Sequence, residues 1–126
     1  MRVKSPGKFR LAALEPAEAD IQRSILDYLR VCKRIGFAWR NNSGAAKSSY
    51  TDARGKTKER FVRFGCKGSA DIIGWTVDGR FLAIECKTAK GRINPDQREF
   101  LRKVRAAGGV AILARSVDDV VEVLGD

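Results

Sequence analysis

The sequence predicts an α/β domain, a central mixed β-sheet flanked by helices. Three observations predict it. An apolar stripe recurs at helical spacing from Ile21, two apolar runs meet at a turn at Asp78-Gly79, and a strand-sized run, Val110–Ala114, stands between two helices with start and stop signals. At 126 residues the chain suits one domain that buries its own core.

Residues 1–14 are basic and aperiodic and read as a flexible arm, leaving residues 15–126 as the domain. A helix is predicted from about Pro16 to Ile35. Proline suits a first turn, and Glu15, Glu18 and Asp20 place negative charge near the N-terminus. Lys33 and Arg34 place positive charge near the other end, Ile21, Ile25, Leu29 and Cys32 form the stripe, and Gly36 is the expected stop. Phe37–Asn41 reads as a short strand. Residues 42–60 are polar, without hydrophobic pattern, and read as a long loop.

A hairpin follows, Asp71–Val77 and Arg80–Thr88. A helix is predicted over Pro95–Ala107, with Asn94 as N-cap and Gly108 as stop. After the buried strand Val110–Ala114, Ser116 is expected to cap a last helix, Val117–Leu124. No repeat or low-complexity tract interrupts this order.

Composition narrows the chemistry. There is no histidine, which excludes every mechanism needing a histidine base or nucleophile and leaves carboxylates, lysines and tyrosines. Three cysteines, Cys32, Cys66 and Cys86, form no CxxC pair, which argues against zinc and against a disulfide framework. They read as reduced thiols of a cytoplasmic protein. No apolar run is long enough to span a membrane, and no secretion signal is apparent.

The net charge is +10, and residues 1–70 carry it, with 16 Lys and Arg against 6 Asp and Glu. Residues 71–126 balance at 9 against 9, so the first half is the side expected to meet a polyanion. Within residues 40–67, Trp39, Tyr50, Phe61 and Phe64 are interleaved with or border 8 basic residues, a pattern suited to phosphates and unstacked bases. Arg40, Asn42, Ser43, Lys47, Arg54, Lys56, Lys58, Lys67 and Ser69 are the candidate DNA contacts. Phe61 and Phe64 can equally be core.

The chemistry concentrates in Gly68-Ser69-Ala70-Asp71 and Ile84-Glu85-Cys86-Lys87. Glu85 and Lys87 lie two apart on an otherwise apolar strand, so both face one way. Charges ending a buried strand need a partner or an ion. A two-residue turn at Asp78-Gly79 sets Asp71 opposite Cys86. A three-residue turn, Val77-Asp78-Gly79, sets it opposite Glu85, with Ile73 opposite Ala83 and Trp75 opposite Phe81. The sequence permits both, and we take the second because it explains the charges. Two facing carboxylates repel unless a cation separates them, and magnesium favours one or two carboxylates plus waters and phosphate oxygens. Lys87 would then position water or stabilise the transition state. The plainer alternative is a salt bridge.

Glu18 shares the apolar face of the first helix and is a candidate metal ligand, or else a charge satisfied at the helix N-terminus. Gln97 stands three residues after Asn94 and either completes a capping box or points into the site beside Phe100, Leu101 and Val104. Gln22 is a weaker candidate of the same kind.

These residues resemble the VRR-NUC family, virus-type replication-repair nucleases within the PD-(D/E)xK superfamily. The resemblance runs from Glu18 to Val117 through Glu18-xx-Ile21-Gln22, Arg40-Asn41-Asn42-Ser43-Gly44, Gly68-Ser69-Ala70-Asp71, Glu85-Cys86-Lys87, Gly91-Arg92 and Gln97 before an Ala-Gly-Gly turn. It implies a restriction-endonuclease-like core and cleavage of phosphodiesters that depends on Mg2+, with Mn2+ as substitute. It implies Asp71 and Glu85 as metal ligands, the Cys86 backbone carbonyl and Glu18 as further ones, and Lys87 as catalytic lysine. Stand-alone members of this size resemble phage and bacterial proteins that tend to be homodimers, some acting on branched DNA such as four-way junctions. Ala70 stands where the family usually has proline. The expectation is a structure-selective DNA endonuclease. A nickase or an exonuclease that reads ends or flaps, a silent DNA-binding module and a basic protein-interaction domain are the alternatives.

Overall fold

Helix α1, Glu18–Val31, turns Ile21, Ile25 and Leu29 inward, the spacing read from the sequence. The computed structural model describes residues 16–42 and 44–125, so the predicted arm over 1–14 and Ser43 lie outside the described residues. The helix is shorter than predicted at both ends. Pro16 lies before the N-cap Ala17, and Cys32 is already extended. Lys33 and Arg34 turn the chain, with the Ile35 N–H bonded to the Cys32 carbonyl at 3.2 Å.

Strand β1 therefore spans Ile35–Arg40, not Phe37–Asn41. Gly36 is not a helix stop. It lies within β1, where a Cβ would stand 2.7 Å from the Trp75 indole, so the glycine makes room for that ring.

Residues 42–60 are not a loop. Strands β2 (Gly44–Thr51) and β3 (Thr57–Phe64) form a two-stranded antiparallel ribbon. Asp52 organises its turn, its carboxylate accepting the N–H groups of Arg54 and Lys56 at 2.9 Å each. The ribbon escaped the sequence reading because Lys47, Ser49, Lys58, Glu59, Arg60 and Phe61 are all exposed. A strand solvated on both faces carries no apolar alternation.

Strands β4 (Ile72–Thr76) and β5 (Phe81–Cys86) form the expected hairpin, trimmed at both outer ends and by one residue on each side of the turn. Its register is the three-residue one: Ile73 pairs with Ala83, and Trp75 with Phe81. Thr76 closes the turn by bonding Arg80 (2.9 Å), and Gly79 takes φ +83°, a left-handed position that favours glycine.

Helix α2 spans Pro95–Ala106, one residue short of expectation. Strand β6, Val110–Ala114, pairs parallel to β5, and helix α3 spans Val117–Leu124. Ser116 occupies the N-cap position of α3, yet among the described residues its hydroxyl makes no cap bond. The Asp119 carboxylate, one turn in, takes the Arg115 N–H instead, at 2.8 Å.

The main sheet runs β1-β4-β5-β6, antiparallel except for the parallel β5–β6 pair. On one face Ile72, Leu82, Ile84 and Ile112 pack under α1 and α3. On the other, Ala83 packs with Leu101 and Val104 of α2, joined by Ile73, Ala111 and Leu113. Alternation along β5 divides its side chains between these two layers. Among the described residues no helix is long and apolar enough to cross a membrane.

Candidate active site

Asp71 stands one residue before β4, at the register position opposite Glu85. There the backbone ladder between β4 and β5 gives out, and the Asp71 carboxylate replaces the missing rung. Its Oδ2 accepts the Cys86 N–H at 2.8 Å. This bond fixes the carboxylate against the end of β5.

Glu85 is 1% exposed. Its Oε1 accepts a hydrogen bond from Gln97 Nε2 at 2.9 Å and lies 3.9 Å from Lys87 Nζ. Its Oε2 is buried with no donor among the described residues, and Asp71 can share a hydrogen bond with Glu85 only when one of the two acids is protonated. Burial, then the neighbouring Asp71 carboxylate, push the Glu85 pKa up to about 8, with Lys87 pulling the other way. A buried carboxylate with one bare oxygen is a costly arrangement unless a proton or a cation completes it. The same surroundings, burial first and then Asp71, push the Cys86 thiol up to about 12, so it stays protonated and is a poor thiolate ligand at neutral pH.

Gln97 does both things the sequence allowed. Its backbone N–H bonds the Asn94 side chain at 2.9 Å, while its Oε1 accepts the Asn94 N–H at 3.0 Å, a complete capping box. Its remaining amide nitrogen reaches Glu85. The cap of α2 and the support of the carboxylate are thus one side chain.

Glu18, the first residue of α1, is half-buried and near enough for its charge to raise the pKa of both Glu85 and Cys86. It does not join them in a closed cage: among the described residues no group of three or more His, Cys, Asp or Glu is gathered to hold an ion. Asp71, Glu85, Lys87 and Gln97 are brought together, with Glu18 at longer range.

Two supporting residues were not assigned a role from sequence. Asn41 follows β1 and straps it to the segment before Asp71. Its N–H bonds the Asp71 carbonyl at 2.7 Å, and its Nδ2 donates to Ser69 Oγ (2.7 Å) and the Ala70 carbonyl (3.0 Å). Its place inside the Arg40–Gly44 motif was the available signal. Arg115, after β6, donates through Nη1 to the carbonyls of Thr88 (2.6 Å), Gly91 (2.7 Å) and Ala89 (3.3 Å), pinning the loop that follows Lys87. Nothing in the sequence distinguishes it from other basic residues.

The candidate DNA contacts divide into groups. Lys47, Arg54, Lys56 and Lys58 lie on the ribbon, exposed; Lys47 sits 5.7 Å over the Phe61 ring, and Lys58 pairs with Asp52 at 3.4 Å. Arg60, not singled out from sequence, joins them over Tyr50 at 5.5 Å. Arg40 and Asn42 are exposed at the end of β1, and Ser69 is committed to Asn41 beside the carboxylates. Lys67 stands apart, paired with Asp96 of α2 at 3.3 Å. It lines a cleft of about 620 Å³ with Phe81 and Phe100 that contains none of Asp71, Glu85, Lys87 and Gln97.

The VRR-NUC domain family matches residues 16–118 of the chain. A solved structure of a VRR-NUC domain protein is similar in fold, with a TM-score of 0.53 and 19% identity over 86% of this chain and 85% of that one. No curated protein matches significantly.

Proposed function

Because the chain belongs to the VRR-NUC domain family, a nuclease family, we propose that it is a magnesium-dependent DNA endonuclease with Asp71, Glu85 and Lys87 at its centre. The observation that carries this reading is the bare, buried Glu85 Oε2 beside Asp71. An oxygen donor set of this kind suits Mg2+, with Mn2+ as a substitute. Asp71 and Glu85 would hold the ion, with the Cys86 backbone carbonyl and Glu18 contributing. When bound, it supplies a water of lowered pKa and a positive charge against the phosphate.

The chain's own groups do the rest. The Cys86 N–H holds Asp71, and Gln97 holds Glu85, so neither carboxylate must be ordered when substrate arrives. Lys87, with 14% of its side chain exposed, is close enough to Glu85 to be oriented and open enough to reach a phosphate oxygen or the attacking water. Asn41 keeps the Ser69–Asp71 segment in register with β1. The exposed cations of the ribbon, with Arg40 and Lys67, bind the DNA backbone. We further propose that the protein acts in the cytoplasm as a homodimer on branched DNA such as a four-way junction, where two-fold symmetry presents two sites to two strands.

The test is cleavage of labelled four-way junction, nicked, flap and linear duplex DNA with Mg2+, Mn2+ or EDTA. Metal-dependent cutting that falls at least ~100-fold in Lys87→Ala supports the nuclease, at the scale of removing one transition-state donor. Cutting confined to nicked or flap DNA replaces junction selectivity with a nickase or flap reading. Intact binding without cutting of any substrate would make the domain a silent DNA-binding module.

A further inference from the structure

On the α2-facing side of the sheet, the face that carries Ala83 and Glu85 on β5, no helix of the described residues lies above the flank of β1 and β4. Phe37, Trp39 and Trp75 lie there, 54%, 39% and 48% exposed. Trp75 pairs in register with Phe37, and Trp39 with Ile73, so all three share the face of Asp71 and Glu85. Their ring centroids stand 5.6, 5.6 and 6.0 Å apart, with planes inclined at 31°, 46° and 71°. The rings are inclined to one another, Trp39 and Trp75 edge to face, and each keeps a large share of its surface in solvent. The bare backbone of Gly36 lets the Trp75 indole lie against β1, which fixes the group from beneath.

The cluster is aligned with the catalytic carboxylates. Trp39 precedes Asn41 by two residues, and the Asn41 N–H bonds the Asp71 carbonyl. Two residues of strand cover roughly 7 Å, about two nucleotides of stacked rise. We propose that Phe37, Trp39 and Trp75 form a stacking platform for unpaired bases in the strand that enters the active site. This rests on the nuclease reading and names its substrate class: DNA whose bases are unstacked within about two nucleotides of the cut.

Charge favours this occupant. The chain carries +10 overall, which attracts a polyanion, and the exposed Arg40 ends β1 directly after Trp39. Aromatic faces also accept any base, so the platform selects single-stranded character and not sequence.

Binding is measured by fluorescence anisotropy in EDTA, so that no cleavage is needed. The probes are a labelled oligothymidylate and a labelled blunt duplex. Trp39→Ala and Trp75→Ala should each weaken oligothymidylate binding about 5- to 150-fold, the effect of losing one stacked base. Duplex binding should change less than twofold, and Trp39→Phe should recover most of the loss. Oligothymidylate affinity within twofold of wild type in both alanine variants overturns the proposal. So does an equal loss on both probes, or a halving of molar mass by sedimentation equilibrium, which would make the patch a contact between copies. Because binding is read without cutting, the platform can fail while Lys87→Ala still abolishes cleavage. Tryptophan-dependent oligothymidylate binding with no cleavage of any substrate would sink the nuclease reading and leave the rings as the base platform of a silent DNA-binding module.

Discussion

Leu82, Ile84 and Cys86 point from β5 toward α1 and α3, while Phe81, Ala83 and Glu85 point from the same strand to the α2 side. The first three are fully buried, meeting Ile21, Ile25 and Leu29 of α1 and Val120 and Leu124 of α3. On the second face α2 covers Ala83 through Leu101 and Val104, leaving three aromatic rings in solvent at one flank. The strand end on that face holds an acid with one oxygen that no donor among the described residues reaches. Two helices seal one side with aliphatic packing. One helix half-covers the other, and the candidate chemistry lies where its cover stops. The first face is packed with apolar side chains; the second joins a smaller apolar cluster to a buried carboxylate whose burial costs stability.

Substitutions can break this contrast. Ile25, 0% exposed on the sealed face, should cost about 2–5 kcal/mol on Ile25→Ala. Trp39→Ala on the open face should cost less, about 1–2 kcal/mol of folding stability from its two ring contacts. Urea titration of both variants checks this, and equal losses would erase the distinction between the faces.

The second effect concerns Glu85. Its folded pKa of about 8 stands above its ordinary value of 4.5, so folding favours the protonated acid. In metal-free protein the stability this provides is complete below about pH 4.5 and lost as pH rises through about 8. From 4.5 to about 8, at ~1.4 kcal/mol per pKa unit, the upper bound on the change is about 5 kcal/mol. Thermal melts in EDTA should show that slope, Glu85→Gln should flatten it, and magnesium at pH 8 should raise the wild-type Tm but not the variant's. A wild-type melt independent of pH over this range would mean that Glu85 is not the uncompensated group we take it for.

Asn41→Ala removes two bonds near the site and should cost about 1–2 kcal/mol. It should also lower kcat more than DNA affinity, because the Ser69–Ala70 segment before Asp71 loses its side-chain strap, while the Asn41 N–H bond to Asp71 and the ribbon are kept. Least of all, Lys58→Ala should leave stability within about 0.5 kcal/mol and reduce the slope of log binding against log salt by roughly one. A Lys58→Ala slope equal to wild type would remove the ribbon from the DNA interface.

The sealed face was legible because burial writes period into sequence: Ile21, Ile25 and Leu29 announced α1. The hairpin register was legible for a different reason, since only the three-residue turn set Asp71 against Glu85. The ribbon was hidden because Lys47, Ser49, Lys58 and Arg60 face water whichever way they point. The end of α1 was misplaced because Gly36 signals a stop and a close contact in the same letter, and the Trp75 ring that decides between them lies 39 residues away in the chain. Asn41 and Arg115 act through backbone carbonyls of distant segments, which no local pattern encodes.

Gln97 has one further consequence, for which amino acids its position can accept. Glutamate and glutamine are interchangeable in an ordinary capping box, since either can accept the N-cap N–H. Here the second end of the side chain must donate to Glu85. A glutamate would cap α2 equally well and turn a second anion toward an acid that already has Asp71 beside it. The position can therefore be read by two separate criteria, helix grammar and site chemistry, and only the amide passes both.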